Sequence, residues 1–137
     1  MGDKKILVTK EDATKGVLYG DAGTFRIYID GPNCGAKNFS LLQNTIKAGA
    51  AGSSHRHDEE HCFYVLSGTG TMNIDGKAYE MKPGSAIFVP PNALHQPVVD
   101  EGSDLNVIVI YSPPGPEQKL RHKQANAFDD TAADNLK

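Results

Sequence analysis

The chain has 137 residues, 39% of them hydrophobic and 23% charged, with a formal net charge of -3. That length fits one domain around one core, and the composition is globular rather than disordered. The mild negative charge leaves no electrostatic footprint for nucleic acid, and no stretch approaches the roughly 18 apolar residues of a membrane span.

The N-terminal segment MGDKKILVTK has no apolar run of signal-peptide length. Two cysteines, Cys34 and Cys62, without a CxxC pair, are too few to staple a domain of this size. A cytoplasmic protein with reduced thiols is expected.

Most of the chain reads as strands. TFRIYID (24–30) alternates, with Phe25, Ile27 and Ile29 on one face and Arg26 and Tyr28 on the other. Extended runs follow at 39–49 and at HCFYVLS (61–67). TMNIDGKAYEM (71–81) carries Asp75-Gly76 between two strands, a hairpin signal because both residues tolerate positive φ. SAIFVP (85–90) reads as a buried strand bounded by Pro83-Gly84 and Pro90-Pro91, and LNVIVIYS (105–112) is the longest β-branched run. Turn residues recur about every 8 to 12 positions, which points to an all-β sandwich or barrel. The expected domain is a single unit over 1–137, its core at about 24–112, with a C-terminal extension at 113–137. SPPGP (112–116) reads as a closing linker, and 116–128 as a possible helix starting at Pro116. Its apolar positions are sparse, and Lys119, Arg121, His122 and Lys123 read as a solvated basic patch.

The densest chemistry lies in SSHRHDEEHCFYVLSGTG (53–70). His55 and His57 are two apart, so on a strand they point the same way. His61, Phe63 and Val65 form a second such set. A lone histidine near a strand is usually only a hydrogen-bonded polar residue. Three imidazoles here, and a fourth at His95, instead favour a site for a divalent first-row metal. Asp58, Glu59 and Glu60 read as a solvated rim, one of them a candidate base at the mouth.

The spacing of these residues resembles the two motifs of the cupin superfamily. Gly49, five residues, His55-Arg56-His57, three residues, His61, six residues and Gly68 match the first motif in every interval. Gly84, five residues, Pro90-Pro91-Asn92, two residues and His95 follow the second. Asn92 stands where the motif has glycine, and asparagine also tolerates left-handed backbone. Val99 replaces an asparagine that is not a metal ligand. The resemblance implies a small double-stranded β-helix, or jelly-roll, barrel. The family's usual shell is three imidazoles and one carboxylate. Here His61 occupies the carboxylate position, so the resemblance implies four metal ligands: His55, His57, His61 and His95. In the other reading His61 faces the metal without binding it and serves as a catalytic proton shuttle.

A shell of neutral imidazoles leaves a divalent ion its full charge and strengthens it as a Lewis acid. One divalent transition metal per chain is expected, Zn, Ni, Fe, Mn or Cu. The expected activity is lyase, isomerase or cyclase chemistry on a small oxygen-rich or carbonyl substrate. An Fe(II)-dependent dioxygenase and a non-catalytic module that binds a sugar or carboxylate are the alternatives. Phe63, Val65, Ile87, Val89 and Ile108 are core or pocket-wall candidates. Arg26, Tyr28 and Gln43 are possible substrate contacts, though a surface role is the simpler one for each. Cys62 reads as a buried thiol rather than a nucleophile. Tyr64 and Leu66 share its outward face, which predicts a homodimer. No nucleic-acid or membrane partner is expected.

Overall fold

The computed structural model describes residues 4–123. Its elements are β1 (Thr14–Leu18), β2 (Gly23–Ile29), the single-turn α1 (Gly31–Cys34), β3 (Ser40–Ile46), β4 (Glu60–Ser67), β5 (Gly70–Ile74), β6 (Lys77–Met81), β7 (Ala86–Val89), β8 (His95–Val99), β9 (Leu105–Ser112) and α2 (Pro116–Lys123). A six-stranded sheet runs β1-β2-β3-β9-β4-β7, and a three-stranded sheet runs β6-β5-β8. Every pairing is antiparallel, and β9 returns late in the chain to lie between β3 and β4. This is the all-β jelly-roll barrel that the sequence implies.

The period-two patterns explain the core. On β3 and β9 every second residue is buried: Ser40, Leu42, Asn44 and Ile46 face Tyr111, Val109, Val107 and Leu105 across the pair. Phe63 and Val65 on β4 and Ile87 and Val89 on β7 complete the inner wall. A fully buried side chain of this kind contributes about 1.5–3 kcal/mol over an exposed one. The hairpin turn is as expected, with Asp75 at φ 48 and Gly76 at φ 83. Gly68 stands at φ 85, and a Cβ there would lie 2.2 Å from the Asp104 carbonyl oxygen, so the motif glycine lets the chain leave β4 against its neighbour.

Several expectations need correction. Ile108 lies on the outer face, because β9 buries its odd-numbered residues. A bulge between Ile27 and Ile29 shifts the register of β2, so Ile29 is only half-buried and Asp30 turns inward. Arg26 and Tyr28 on β2 and Gln43 on β3 alternate with the buried residues, so they face away from the barrel interior and cannot contact a substrate held there. The strands β1 and β8, each with a proline or glycine inside it, were not signalled by alternation. The outward apolar face is present: Tyr64, Leu66 and Phe88 are 43%, 45% and 56% exposed.

The C-terminal segment is more than a linker and a solvated tail. The α2 helix begins at Pro116 as the sequence suggests, and its proposed continuation over 124–128 lies outside the described residues. It docks on the barrel by polar contacts that its sparse hydrophobic pattern hides. Two guanidinium nitrogens of Arg121 reach Asp30 Oδ2 at 3.1 and 2.8 Å, and Asp30 is fully buried. Asp30 Oδ1 meanwhile accepts the Asn33 amide at 2.8 Å, capping α1. Glu117, also fully buried, accepts the Ser40 hydroxyl at 2.7 Å, and Leu120 adds a buried apolar anchor. Arg121→Ala should cost about 3–5 kcal/mol, because the buried Asp30 carboxylate loses its counter-charge and keeps only the neutral donors Asn33 N and Gln118 Nε2. Urea unfolding at neutral pH measures this, and a loss below about 1 kcal/mol would show the pair to be an exposed-type contact.

Candidate metal centre

Two backbone devices bring the histidines together. His55 and His95 form an antiparallel bridge, His55 N donating to His95 O at 3.1 Å and His95 N to His55 O at 2.9 Å. The loop after β7 then folds over the next residues: Asn92 N donates to His57 O at 2.7 Å, with Asn92 at φ 64 in the left-handed region. The third device is register. His61, on β4, pairs with Tyr111 on one side and Val89 on the other, which places its ring on the inner wall.

All four rings are buried, between 1% and 4% exposed. His55, His57 and His95 each offer one nitrogen, and these three atoms lie within 4.8 Å of one another. The Nδ1 atoms of the three rings lie 3.1, 3.1 and 2.9 Å from the carbonyl oxygens of Ser53, Glu59 and Ala93. A carbonyl can only accept, so each Nδ1 carries the proton and each Nε2 carries the lone pair. That is the tautomer a metal requires.

The structure thus gathers all four predicted residues but does not treat them alike. His61 is outside the three-nitrogen group. Its ring centroid lies 5.2 Å from those of both His57 and His95, and it stacks on Phe63 at 4.1 Å and Tyr111 at 4.3 Å. Among the described residues neither of its nitrogens has a hydrogen-bond partner, nor has Nε2 of His57 or His95. Orphaned buried imidazole nitrogens cost about 1–3 kcal/mol each. A divalent ion would satisfy them, so the donor set fits a metal.

Electrostatics agree. Burial, then the neighbouring His95, drives His55 from 6.5 down to about 3, and the same two causes lead in taking His57 down to about 4. Burial followed by the other three rings holds His61 well below its ordinary value, and burial lowers His95. The rings are therefore neutral, the form that binds metal.

Tyr111 is the site residue that sequence reasoning missed. Its ring sits 4.3 Å from His61 and 5.4 Å from His57, and burial raises its phenol well above 10. Residue 111 shares parity with buried Val107 and Val109, which the register against β4 reveals and the evenly apolar run does not. Of the acidic triplet, Asp58 and Glu60 are exposed, whereas Glu59 Oε1 lies 3.6 Å from His57 Nδ1. Cys62 and Cys34 are free thiols, half-buried, and burial raises the Cys62 pKa, so it is no activated nucleophile. Among the described residues no helix is long and apolar enough to cross a membrane.

Comparison with known proteins agrees with this geometry. The family model for the cupin domain matches residues 43–111. An uncharacterised protein of Methanocaldococcus jannaschii is 32% identical over 95 residues, covering 67% of this chain and 74% of that protein. L-ectoine synthase of Rhodococcus opacus is 29% identical over 91 residues, 65% of each chain. A solved RmlC-like cupin from Shewanella frigidimarina superposes with a TM-score of 0.71 at 20% identity, covering 86% of this chain and 99% of that one.

Proposed function

Because the chain belongs to the cupin family, we propose that it is a divalent-metal enzyme performing lyase, isomerase or cyclase chemistry on a small oxygen-rich or carbonyl compound. The observation that carries this reading is the convergence of three buried, neutral imidazoles on one point, with a fourth beside them. His55, His57 and His95 hold the metal, with His61 as a fourth ligand or as the adjacent proton carrier. The metal supplies Lewis acidity toward a carbonyl or alkoxide oxygen.

The protein's own groups do the rest. The backbone carbonyls of Ser53, Glu59 and Ala93 hold the imidazoles in one tautomer. Phe63, Val89 and the Tyr111 ring make an apolar wall that excludes water and strengthens the local electrostatics. Burial holds His61 neutral and well below its ordinary value, so it would be a weak base at neutral pH and better suited to donating a lone pair as a fourth ligand. The similarity to L-ectoine synthase supports an enzymatic role, without identifying the reaction or the substrate. We further propose a cytoplasmic homodimer, the second copy covering the face of Tyr64, Leu66 and Phe88.

The test is elemental analysis of protein purified without a polyhistidine tag, with His61→Glu and His61→Ala alongside. About one metal per chain is expected in the wild type. His61→Glu should retain it, since it restores the carboxylate of the family pattern. His61→Ala should weaken affinity about tenfold or more. Equal affinity in His61→Ala and wild type would remove His61 from the ligand set. A wild-type chain that takes up none of Zn, Ni, Fe, Mn and Cu would end the metal reading. Turnover of hydroxy acids or diketones without oxygen favours the proposed class; a strict need for Fe(II) and oxygen would instead make the protein a dioxygenase. Tight binding without turnover would make it a binding module.

A further inference from the structure

We propose that Glu59 is the charge-balancing and positioning carboxylate of the metal centre, standing behind His57 in place of the carboxylate that His61 displaces from the ligand set. The proposal rests on the metal-centre reading above. His57 Nδ1 lies 3.1 Å from the backbone oxygen of Glu59 and 3.6 Å from its Oε1. The first contact is a hydrogen bond and sets the tautomer. The second is too long for one, and acts through charge. One residue thus fixes the ring and places an anion on its far side.

The carboxylate is held there. Its side chain is only 23% exposed, while the flanking Asp58 and Glu60 are exposed. Its other oxygen faces Gly115, where a Cβ would come within 2.7 Å of Oε2. Glycine therefore leaves the space that Glu59 fills. Gly115 is anchored in turn, its amide donating to Glu117 Oε1 at 2.9 Å, and Glu117 is tied to Ser40 on β3. The segment after β9 thus lies against the carboxylate on the side away from His57.

Chemistry gives the arrangement a purpose. A ligand set made only of imidazoles offers no negative charge to a divalent ion. A bound imidazole donates electron density, and positive charge grows at its Nδ1–H. A carboxylate behind that atom stabilises the charge and makes the ring a better ligand. Screening is weak because water reaches Glu59 poorly. Two further charges act on His57 in opposite directions, the exposed Asp58 carboxylate favouring its charged form and Lys119 opposing it.

The test is Co²⁺ binding to the full chain, read by chelator competition, in wild type, Glu59→Gln and Glu59→Asp. Gln keeps the size and the backbone oxygen and removes only the charge. Co²⁺ affinity should fall about 10–100-fold in Glu59→Gln, while the thermal midpoint of the metal-free protein stays put. Glu59→Asp, which keeps the charge, should recover part of the loss. Glu59→Gln binding Co²⁺ as tightly as wild type overturns the proposal and leaves the metal centre standing. An equal drop in the metal-free midpoint makes Glu59 merely structural and also overturns it. Wild type that binds no Co²⁺ overturns the reading beneath it.

Discussion

His95→Ala should abolish stoichiometric metal binding. His95 is the hub of the centre: its ring stands 4.4 Å from His55, 5.1 Å from His57 and 5.2 Å from His61. Its backbone also bridges to His55, but alanine keeps that bridge, so the substitution removes a ligand without opening the strand pair. Loss of a residue outside the ligand set typically costs 10–100-fold in affinity, and loss of a ligand should exceed about 100-fold. A second readout guards against simple unfolding. In wild type, metal at about 100 times its Kd should stabilise the fold by about 2.7 kcal/mol. In His95→Ala that increment should vanish, while the metal-free protein loses little, because the deleted ring carried an orphaned buried nitrogen. A His95→Ala protein that keeps wild-type metal content would show that the ion sits elsewhere.

The centre was more legible in the sequence than the frame that supports it. The spacing of His55 and His57 reads as one face of a strand, but both residues precede β4 outside any named strand, and it is the bridge to His95 and the Asn92 amide on the His57 carbonyl that bring them together. His95 needed the second motif, because His55 is forty residues upstream in the chain and long-range pairing, including the bridge between them, brings the two segments together. Parity failed where it was read from composition alone. LNVIVIYS is apolar at nearly every position, so the run itself does not say whether Ile108 or Val107 and Tyr111 face inward. Register against β4 decides it, by pairing Tyr111 with His61. The bulge in β2 was likewise invisible, and it is what turns Asp30 inward. The Asp30–Arg121 pair spans 91 positions, and no local pattern predicts such a contact. An arginine among other cations near a chain end reads as solvated until a buried carboxylate is found opposite it.

Acidification from pH 7 to pH 5 should destabilise the metal-free protein steeply, and bound metal should raise the stability at each pH while leaving that slope in place. The folded state holds His55 at about 3 and His57 at about 4, with His61 and His95 also lowered, whereas the unfolded chain binds these protons near 6.5. Below 6.5 the unfolded state therefore carries protons that the folded state refuses. Stability falls as pH falls, by about 1.4 kcal/mol per pH unit for each histidine that stays neutral in the fold. The loss continues until the pH reaches the folded values, near 4 for His57 and near 3 for His55. Above pH 7 these groups contribute no slope, since both states are neutral. Ordinary carboxylates titrate mostly below pH 5, so the window from 7 to 5 isolates the histidines. Urea midpoints at pH 7, 6 and 5 on chelator-stripped protein measure the slope. His61→Gln should make it shallower. With Zn²⁺ at saturation the folded state gains binding energy that the unfolded state lacks, and the midpoints should rise at every pH at which metal still outcompetes protons. A metal-free protein equally stable at pH 7 and pH 5 would mean that these rings take up protons in the folded state. They would then be solvated, and the closed, dry site needed for the proposed chemistry would be absent.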